Sequence, residues 1–207
     1  AGIAWDCALR GLSVALLERT DFAAGTSGAS SKMVHAGLRY MANDPQLVRE
    51  AALERQRMYR ACAHLARPLE YYLPVYADTP EYKAETISAI LRGYDELGGG
   101  ALTKAHRVLD PAQVLLEIPR LRRPLAVGSY WDGIMDDARV TLEVIRAAVA
   151  AGAAAVNHAE VAGFIEDRSG QVKGVRFYDN APGAGGASME VTADAVVSAS
   201  GVYTDLV

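Results

Sequence analysis

The chain has 207 residues, a formal charge of −4, 51% hydrophobic and 22% charged residues, and 19 glycines against three phenylalanines. That composition suits a folded chain of one large domain or parts of two, and excludes disorder and collagen-like repeats. The acidic balance lacks the basic footprint that binding to a phosphate backbone needs, so no nucleic acid partner is expected. The greasiest run, residues 147–156, is interrupted by Gly152 and falls far short of the roughly 18 apolar residues of a membrane-spanning helix. Any membrane contact is therefore expected to be peripheral. Cys7, Cys62 and the four histidines, His35, His64, His106 and His158, match no metal-ligand spacing. No metal is expected, and the two thiols are expected to be reduced, in a reducing compartment.

The opening residues read as a helix already in progress. Ile3 and Cys7, with Ala4 and Ala8, recur at helical spacing without a capping residue before them, and Gly11 stands where a glycine ends a helix. Residues 12–18 are a nearly continuous apolar run ending on Glu18, the signature of a buried parallel strand. A helix leading into a parallel strand implies an earlier strand of a right-handed βαβ unit, expected here before residue 1. In dinucleotide-binding folds a glycine turn joins that strand to its helix, and an acid about 20 residues on binds the ribose hydroxyls. Glu18 occupies that place if the turn ends just before Ala1, and Gly2 then permits close helix–strand packing. A solvated acid at a strand end fits the same pattern.

Residues 19–41 are dense in Gly, Ser and Thr and offer many backbone N–H groups and hydroxyls to an anionic ligand, though a surface loop has the same composition. Asp44-Pro45 opens a helix spaced by Leu47, Ala51, Met58, Cys62 and Leu65, which must end before Pro68. Residues 69–77 are strand-like, 87–97 are helical up to Gly98-Gly99-Gly100, Leu109-Asp110-Pro111 starts a short helix, and 125–131 form a strand. Asp136 or Asp137 caps a helix to about Ala151; an acid there stabilises it by about 0.3–1 kcal/mol, which accounts for both carboxylates without catalysis. Residues 152–161 are a loop and strand, 164–178 a hairpin about Ser169-Gly170, and 180–188 a Gly/Ala/Pro turn. Arg120, Arg122 and Arg123 lie beside Leu115, Leu116, Ile118 and Leu121, a pattern of a solvated face or of a lipid contact.

Several separated motifs carry a family resemblance. Gly25-Thr26-Ser27-Gly28-Ala29-Ser30-Ser31-Lys32 followed by His35-Ala36-Gly37-Leu38-Arg39-Tyr40 resembles the flavin-contacting segment of the FAD-dependent, quinone-linked glycerol-3-phosphate dehydrogenases, within the D-amino-acid-oxidase-like flavoproteins. The opening helix and strand are similar to that family's. So are Pro119-Arg120-Leu121, the run from Gly128-Ser129-Tyr130-Trp131-Asp132-Gly133 to Asp136-Asp137-Ala138-Arg139, and residues 195–205. The last block stands in place of the family's late flavin-binding strand, with Ser198, Ser200 and Val202 where Asn, Thr and Pro are usual.

The resemblance implies an α/β fold: a discontinuous Rossmann-like FAD-binding domain (1–69 and 136–207, first strand absent) with part of an α+β substrate-binding domain (70–135). It implies FAD contacts from Gly2, Glu18, Thr26, Ser27, Ser30, Ser31, Lys32, Gly37, Leu38, Val161, Ala199, Ser200 and Gly201. The implied reaction is oxidation of glycerol 3-phosphate to dihydroxyacetone phosphate, with electrons passed through flavin to a quinone. Arg39 is the candidate phosphate ligand, since a guanidinium fork matches phosphate geometry; a surface ion pair is its plainer role. Tyr40 adds a hydrogen bond, and His35 is a candidate base or an ordinary loop histidine. The remaining active-site residues are expected beyond Val207, and because the pyrophosphate contacts of the glycine turn are expected before residue 1, the isolated chain is expected not to hold FAD as the complete protein does. Cytoplasmic placement on the inner face of the plasma membrane and a homodimer complete the implied picture. Alternatives are a glycerol-3-phosphate oxidase, another flavin oxidoreductase of the superfamily, or a non-catalytic nucleotide-fold fragment.

Overall fold

The computed structural model describes residues 1–78, 83–98 and 104–206. They form two compact units, one of Ala1–Ala29 with Asp137–Val207 and one of Ser30–Asp136.

In the first unit, α1 (Gly2–Leu9) stops because Gly11 takes a left-handed φ of 80°. That turn lets Gly11 N–H donate to Ala8 O at 2.9 Å and Leu12 N–H to Cys7 O at 3.1 Å, the paired bonds that close a helix C-terminus. Ala4 and Ala8 of α1 pack with Ala148 and Ala153, on and just after α5 (Asp137–Ala150). The expected apolar face included Ile3 and Cys7, yet Ile3 is 54% exposed and Cys7 half-buried. Methyl-sized side chains bring the two helix backbones close, so the alanine stripe, not the bulkier residues, faces inward.

β1 (Ala15–Leu17) pairs in parallel with β6 (Ala154–Val156), Ala15 opposite Ala154. The expected strand over 12–18 thus shortens to the three residues that β6 can pair, and it is partly exposed rather than buried. β7 (Ala159–Glu166), β8 (Val172–Asp179) and β9 (Ala187–Thr192) make an antiparallel meander. The expected hairpin turns where Asp167 Oδ1 accepts from Ser169 N–H at 2.8 Å and Gln171 N–H at 3.1 Å, with Gly170 left-handed. Residues 195–200, expected as a late strand, join no sheet among the described residues and run into a 3₁₀ turn at Gly201–Leu206. A strand exists only by pairing, and no described neighbour offers a ladder there.

The second unit is built on β5 (Ala126–Met135). β3 (Ala66–Val75) pairs with its whole length in antiparallel register, Ala66 opposite Met135 and Val75 opposite Ala126. Pro68 and Pro74 are tolerated because β3 is an edge strand. On the other side of β5, β2 (Met33–Val34) pairs near its C-terminal end and β4 (Arg107–Leu109) near its N-terminal half.

α2 (Pro45–Ala61) starts as the sequence predicts, Asp44 accepting from Leu47 N–H at 2.9 Å with proline in the first turn. α4 (Pro111–Glu117) carries a full capping box between Asp110 and Gln113. α3 (Ala84–Gly98) buries Ile87, Leu91 and Tyr94 at helical spacing; of the expected glycine stop, Gly99 and Gly100 lie outside the described residues. At Gly128 a Cβ would fall 2.7 Å from both Ile87 Cγ1 and Leu91 Cδ1, so the missing side chain is what seats α3 on β5. By packing, residues 30–69 group with 70–136, because β2 and β3 belong to this sheet and α2 packs on α3.

Candidate functional site

The first unit carries candidate cofactor residues on several elements, with Glu18 at the tip of β1. Glu18 ends the strand, its N–H donating to Val156 O at 2.9 Å and its carbonyl accepting from Ala159 N–H at 2.8 Å. Its Oε1 accepts from Thr20 N–H at 2.9 Å, so a short turn fixes the carboxylate's position. The chain after it is tied down by Asn157 Nδ2 donating to Asp21 at 2.9 Å and His158 N–H donating to Thr20 O at 2.7 Å. The amide of Asn157 holds Asp21 below its ordinary carboxylate pKa, helped by the Phe22 N–H.

Arg19 lies over the ring of Tyr203, 5.2 Å from its centroid, which draws the Gly201 turn toward the strand tip. Ala199 is exposed, Ser200 is partly buried, and Gly201 has φ 59° with no atom within 4 Å of where a Cβ would stand. Gly2 begins α1 with the same open space; the helix has no side-chain cap and no acid in its first turn. Thr26 and Ser27 form an exposed 3₁₀ turn, Thr26–Gly28, and Val161 sits beside the bulge in β7.

In the second unit the remaining candidates follow one another along a single segment. Ser30, Ser31 and Lys32 are exposed; Ser30 Oγ accepts from Lys32 N–H at 3.0 Å, and Lys32 itself is left-handed with φ 60°. β2 then carries the chain to His35, which is exposed and lines a groove of about 470 Å³ with Arg55, Met58 and Met135. Gly37 is buried and left-handed at φ 83°, and a Cβ on it would lie 2.6 Å from Tyr40 Cδ2. The turn it makes, Leu38–Tyr40, leaves Leu38 half-buried and Arg39 exposed. Arg39 Nη2 donates to Tyr40 Oη at 2.6 Å, and the guanidinium carbon stands 4.8 Å from that ring's centroid. A planar cation is thus held against a phenol with donors to spare, an arrangement suited to an oxyanion.

Comparison with known proteins gives this geometry a setting. Residues 1–207 match the family described as FAD dependent oxidoreductase. The chain belongs to that family. Glycerol-3-phosphate dehydrogenase of Mycobacterium leprae is 39% identical over 209 residues, covering 99% of this chain and 35% of that protein. The mitochondrial glycerol-3-phosphate dehydrogenase of Homo sapiens is 34% identical over 224 residues, covering 100% of this chain and 30% of that protein. The chain spans about a third of the length of these relatives. Among solved structures, glycerol-3-phosphate dehydrogenase from Bacillus halodurans complexed with FAD superposes with a TM-score of 0.67 at 29% identity, over 93% of this chain and 30% of that one.

For an FAD dependent oxidoreductase the residues of the first unit fit the cofactor's chemistry. An uncapped helix N-terminus without acids suits a pyrophosphate, and a carboxylate fixed at a strand tip suits ribose hydroxyls. The open glycines at 2 and 201 leave the backbone approachable.

One further group lies in the core of the second unit. Arg55, Asp132 and Tyr94 are each at most 2% exposed. Asp132 takes an ion pair from Arg55, hydrogen bonds from Tyr94 Oη at 2.9 and 3.1 Å, and one from the Ala36 N–H at 3.2 Å. Burial pushes the Asp132 carboxyl up, against the pull of Arg55, the Tyr94 hydroxyl and the Ala36 amide. Burial first, and the Asp132 charge second, push the Tyr94 hydroxyl up as well, so it stays protonated as a donor. Asp132 falls within a family-like motif, and Arg55 is in step with buried Val48 and Ala52 on α2 at the spacing of a core stripe, but neither residue by itself points to the other.

Proposed function

We propose that the protein containing this chain is an FAD-dependent glycerol-3-phosphate dehydrogenase, oxidising glycerol 3-phosphate to dihydroxyacetone phosphate. The observation that carries this reading is the Arg39–Tyr40 pair on the Gly37 turn, in a chain 34–39% identical to proteins of that name. Residues 1–29 and 137–207 would hold FAD through Gly2, Glu18, Thr26, Ser27, Val161, Ala199, Ser200 and Gly201. In the neighbouring segment Ser30, Ser31, Lys32, Gly37 and Leu38 would add cofactor contacts, and residues 70–135 would shape the substrate side.

When bound, FAD supplies the acceptor for the hydride from the carbinol carbon and a route for electrons onward to a quinone. The chain's own residues bind and orient. Arg39 engages the phosphate with its guanidinium fork, while Tyr40 steadies the guanidinium and offers its own hydroxyl. Fixing the phosphate fixes the carbinol end, which converts a bimolecular encounter into an oriented one. His35, exposed near this turn in sequence, is positioned to exchange a proton with solvent and is the candidate base.

Among the described residues no helix is long and apolar enough to cross a membrane. A peripheral contact on the cytoplasmic face of the plasma membrane is supported by α4, where Leu115 and Leu116 are 60% and 83% exposed close to Arg120 and Arg123. Association of two copies rests on the family likeness alone.

The test is steady-state kinetics on the full-length, FAD-loaded protein with a quinone or dye acceptor. Losing a charge-assisted contact worth about 1.5–3 kcal/mol, Arg39→Gln should raise KM for glycerol 3-phosphate about tenfold to a hundredfold. An unchanged KM would remove Arg39 from the phosphate site, and turnover coupled to hydrogen peroxide instead of quinone would make the protein an oxidase.

A further inference from the structure

A buried ion pair is a poor way to stabilise a fold. Desolvating both charges offsets most of their attraction, and apolar residues of similar volume commonly do as well or better. Here the pair is not even fully satisfied, since the buried Arg55 Nε finds no hydrogen-bond partner among the described residues. Stability alone therefore does not account for placing a guanidinium, a carboxylate and a phenol in the core between α2, α3 and β5.

What the group does accomplish is local. Asp132 Oδ1 and Tyr94 Oη both accept from the single N–H of Ala36, at 3.2 and 3.1 Å. Ala36 is 1% exposed and immediately precedes Gly37, whose left-handed turn presents Arg39 and Tyr40. Tyr94 donates to Asp132, so its hydroxyl oxygen faces the amide with a lone pair, and Arg55 Nη1 pairs with the same Asp132 Oδ1 that accepts from the amide. Four elements converge on that amide: α2 through Arg55, α3 through Tyr94, β5 through Asp132, and the segment leaving β2. The turn is tied at its other end too, where Asp44 N–H donates to Tyr40 O at 2.8 Å just before α2 begins.

We propose that Arg55, Asp132 and Tyr94 are positioning residues that clamp the Ala36 amide and thereby aim Arg39 at the phosphate of the substrate. The proposal rests on the reading of Arg39 as the phosphate ligand. It assigns selectivity for a phosphate ester to a charge cluster that never touches the substrate. Displacing an oriented ligand by about 1 Å can cost on the order of a hundredfold in rate or affinity, so a slackened clamp has a measurable effect.

The test uses the full-length, FAD-loaded protein and separates aim from stability. The double variant Arg55→Met with Asp132→Leu replaces the pair by apolar groups of similar bulk and is expected to melt within a few degrees of the parent. The expected result is a KM for glycerol 3-phosphate raised about tenfold or more with kcat within about threefold. Amide hydrogen exchange should accelerate over residues 36–41 while α3 and β3 keep their protection. Should the double variant fail to fold, Tyr94→Phe, which keeps the ion pair and removes one acceptor, is expected to show the same local acceleration and a smaller rise in KM.

A folded variant with both loop exchange and KM unchanged overturns the clamp, as does acceleration spread evenly over the unit, which would mark a merely structural role. Arg39→Gln measured in parallel tells the two failures apart. If Arg39→Gln raises KM while Tyr94→Phe changes neither exchange nor KM, the clamp is wrong and the phosphate reading stands. If Arg39→Gln leaves KM unchanged while Tyr94→Phe frees the loop, the amide is clamped but not for the phosphate, which overturns the aiming role.

Discussion

The two units of the chain use polar groups in opposite ways. In the first, the core is a stripe of alanines and the candidate ligand groups stand at edges: a helix start, a strand tip, an unpaired segment ending at Gly201. In the second, a guanidinium, a carboxylate and a phenol are sunk in the core, and the outward-facing turn they govern carries just one exposed cation, Arg39. The first arrangement leaves donors and acceptors open for a large ligand that supplies its own oxygen atoms. The second fixes one small feature from behind, through buried hydrogen bonds and an ion pair. A cofactor that stays bound can help organise its own site, whereas a substrate that comes and goes needs a site organised before it arrives.

The sharpest way to break that contrast is to leave half of the buried group behind. Asp132→Ala strands Arg55 in the core without its counter-ion, and breaking such a pair costs about 3–5 kcal/mol. Urea unfolding should show that loss as a lower midpoint with an unchanged slope. No substitution at an edge residue of the first unit, such as Glu18→Ala, is expected to approach it, because Glu18 is partly solvated and, among the described residues, its side chain bonds only its own turn at Thr20. Equal losses at both positions would mean that the cluster is an ordinary surface-like pair in energetic terms.

How far the sequence foretold this contrast depends on whether the signal was local. The Asp44-Pro45 start of α2, the capping box of α4, the stop at Gly11 and the hairpin about Gly170 were legible because each rests on residues within five positions of one another. The family motifs likewise marked the 25–40 segment and the strand holding Asp132. Illegible were the features that need a partner from elsewhere. Gly128 is required by Ile87 and Leu91 some forty residues away, and the meaning of Arg55 depends on Asp132, 77 positions on. The burial of Ala4 in preference to Ile3 depends on α5, and residues 195–200 carry strand-like composition but have no described ladder to join.

Two glycines sharpen the comparison further, since both are left-handed near φ 80° but only one is enclosed. Gly11→Ala meets no atom within 4 Å, so it should cost only the backbone term of about 1–2 kcal/mol. Gly37→Ala carries the same term and also drives a methyl to 2.6 Å from Tyr40 Cδ2, an overpacking that adds about 1–3 kcal/mol or displaces the ring. Thermal melts should rank Gly37→Ala below Gly11→Ala. Activity should separate them more widely, because moving the Tyr40 ring moves the group that holds Arg39, whereas a methyl on Gly11 meets no described atom within 4 Å.

The smallest effect concerns acid. Glu70 on β3 is buried enough to raise its pKa, but hydrogen bonds from Ser129, Arg107 and Tyr72 outweigh that and hold it below its ordinary value of 4.5. A carboxyl depressed by folding contributes stability that is fully present above the unfolded pKa and is lost as pH falls through the folded one. The second unit should therefore weaken below about pH 4.5 partly through this residue. Arg107 is 46% exposed, so solvent screens the pair and the contribution should stay under about 1 kcal/mol. Glu70→Gln should flatten the stability-against-pH curve in that acid window while leaving kinetics near neutrality unchanged. Asp132 behaves in the reverse sense, since burial raises its pKa and folding there favours the proton. If the acid slope persists undiminished in Glu70→Gln, the carboxylates to examine next are those of the first unit, beginning with Asp21, which is also depressed but fully exposed.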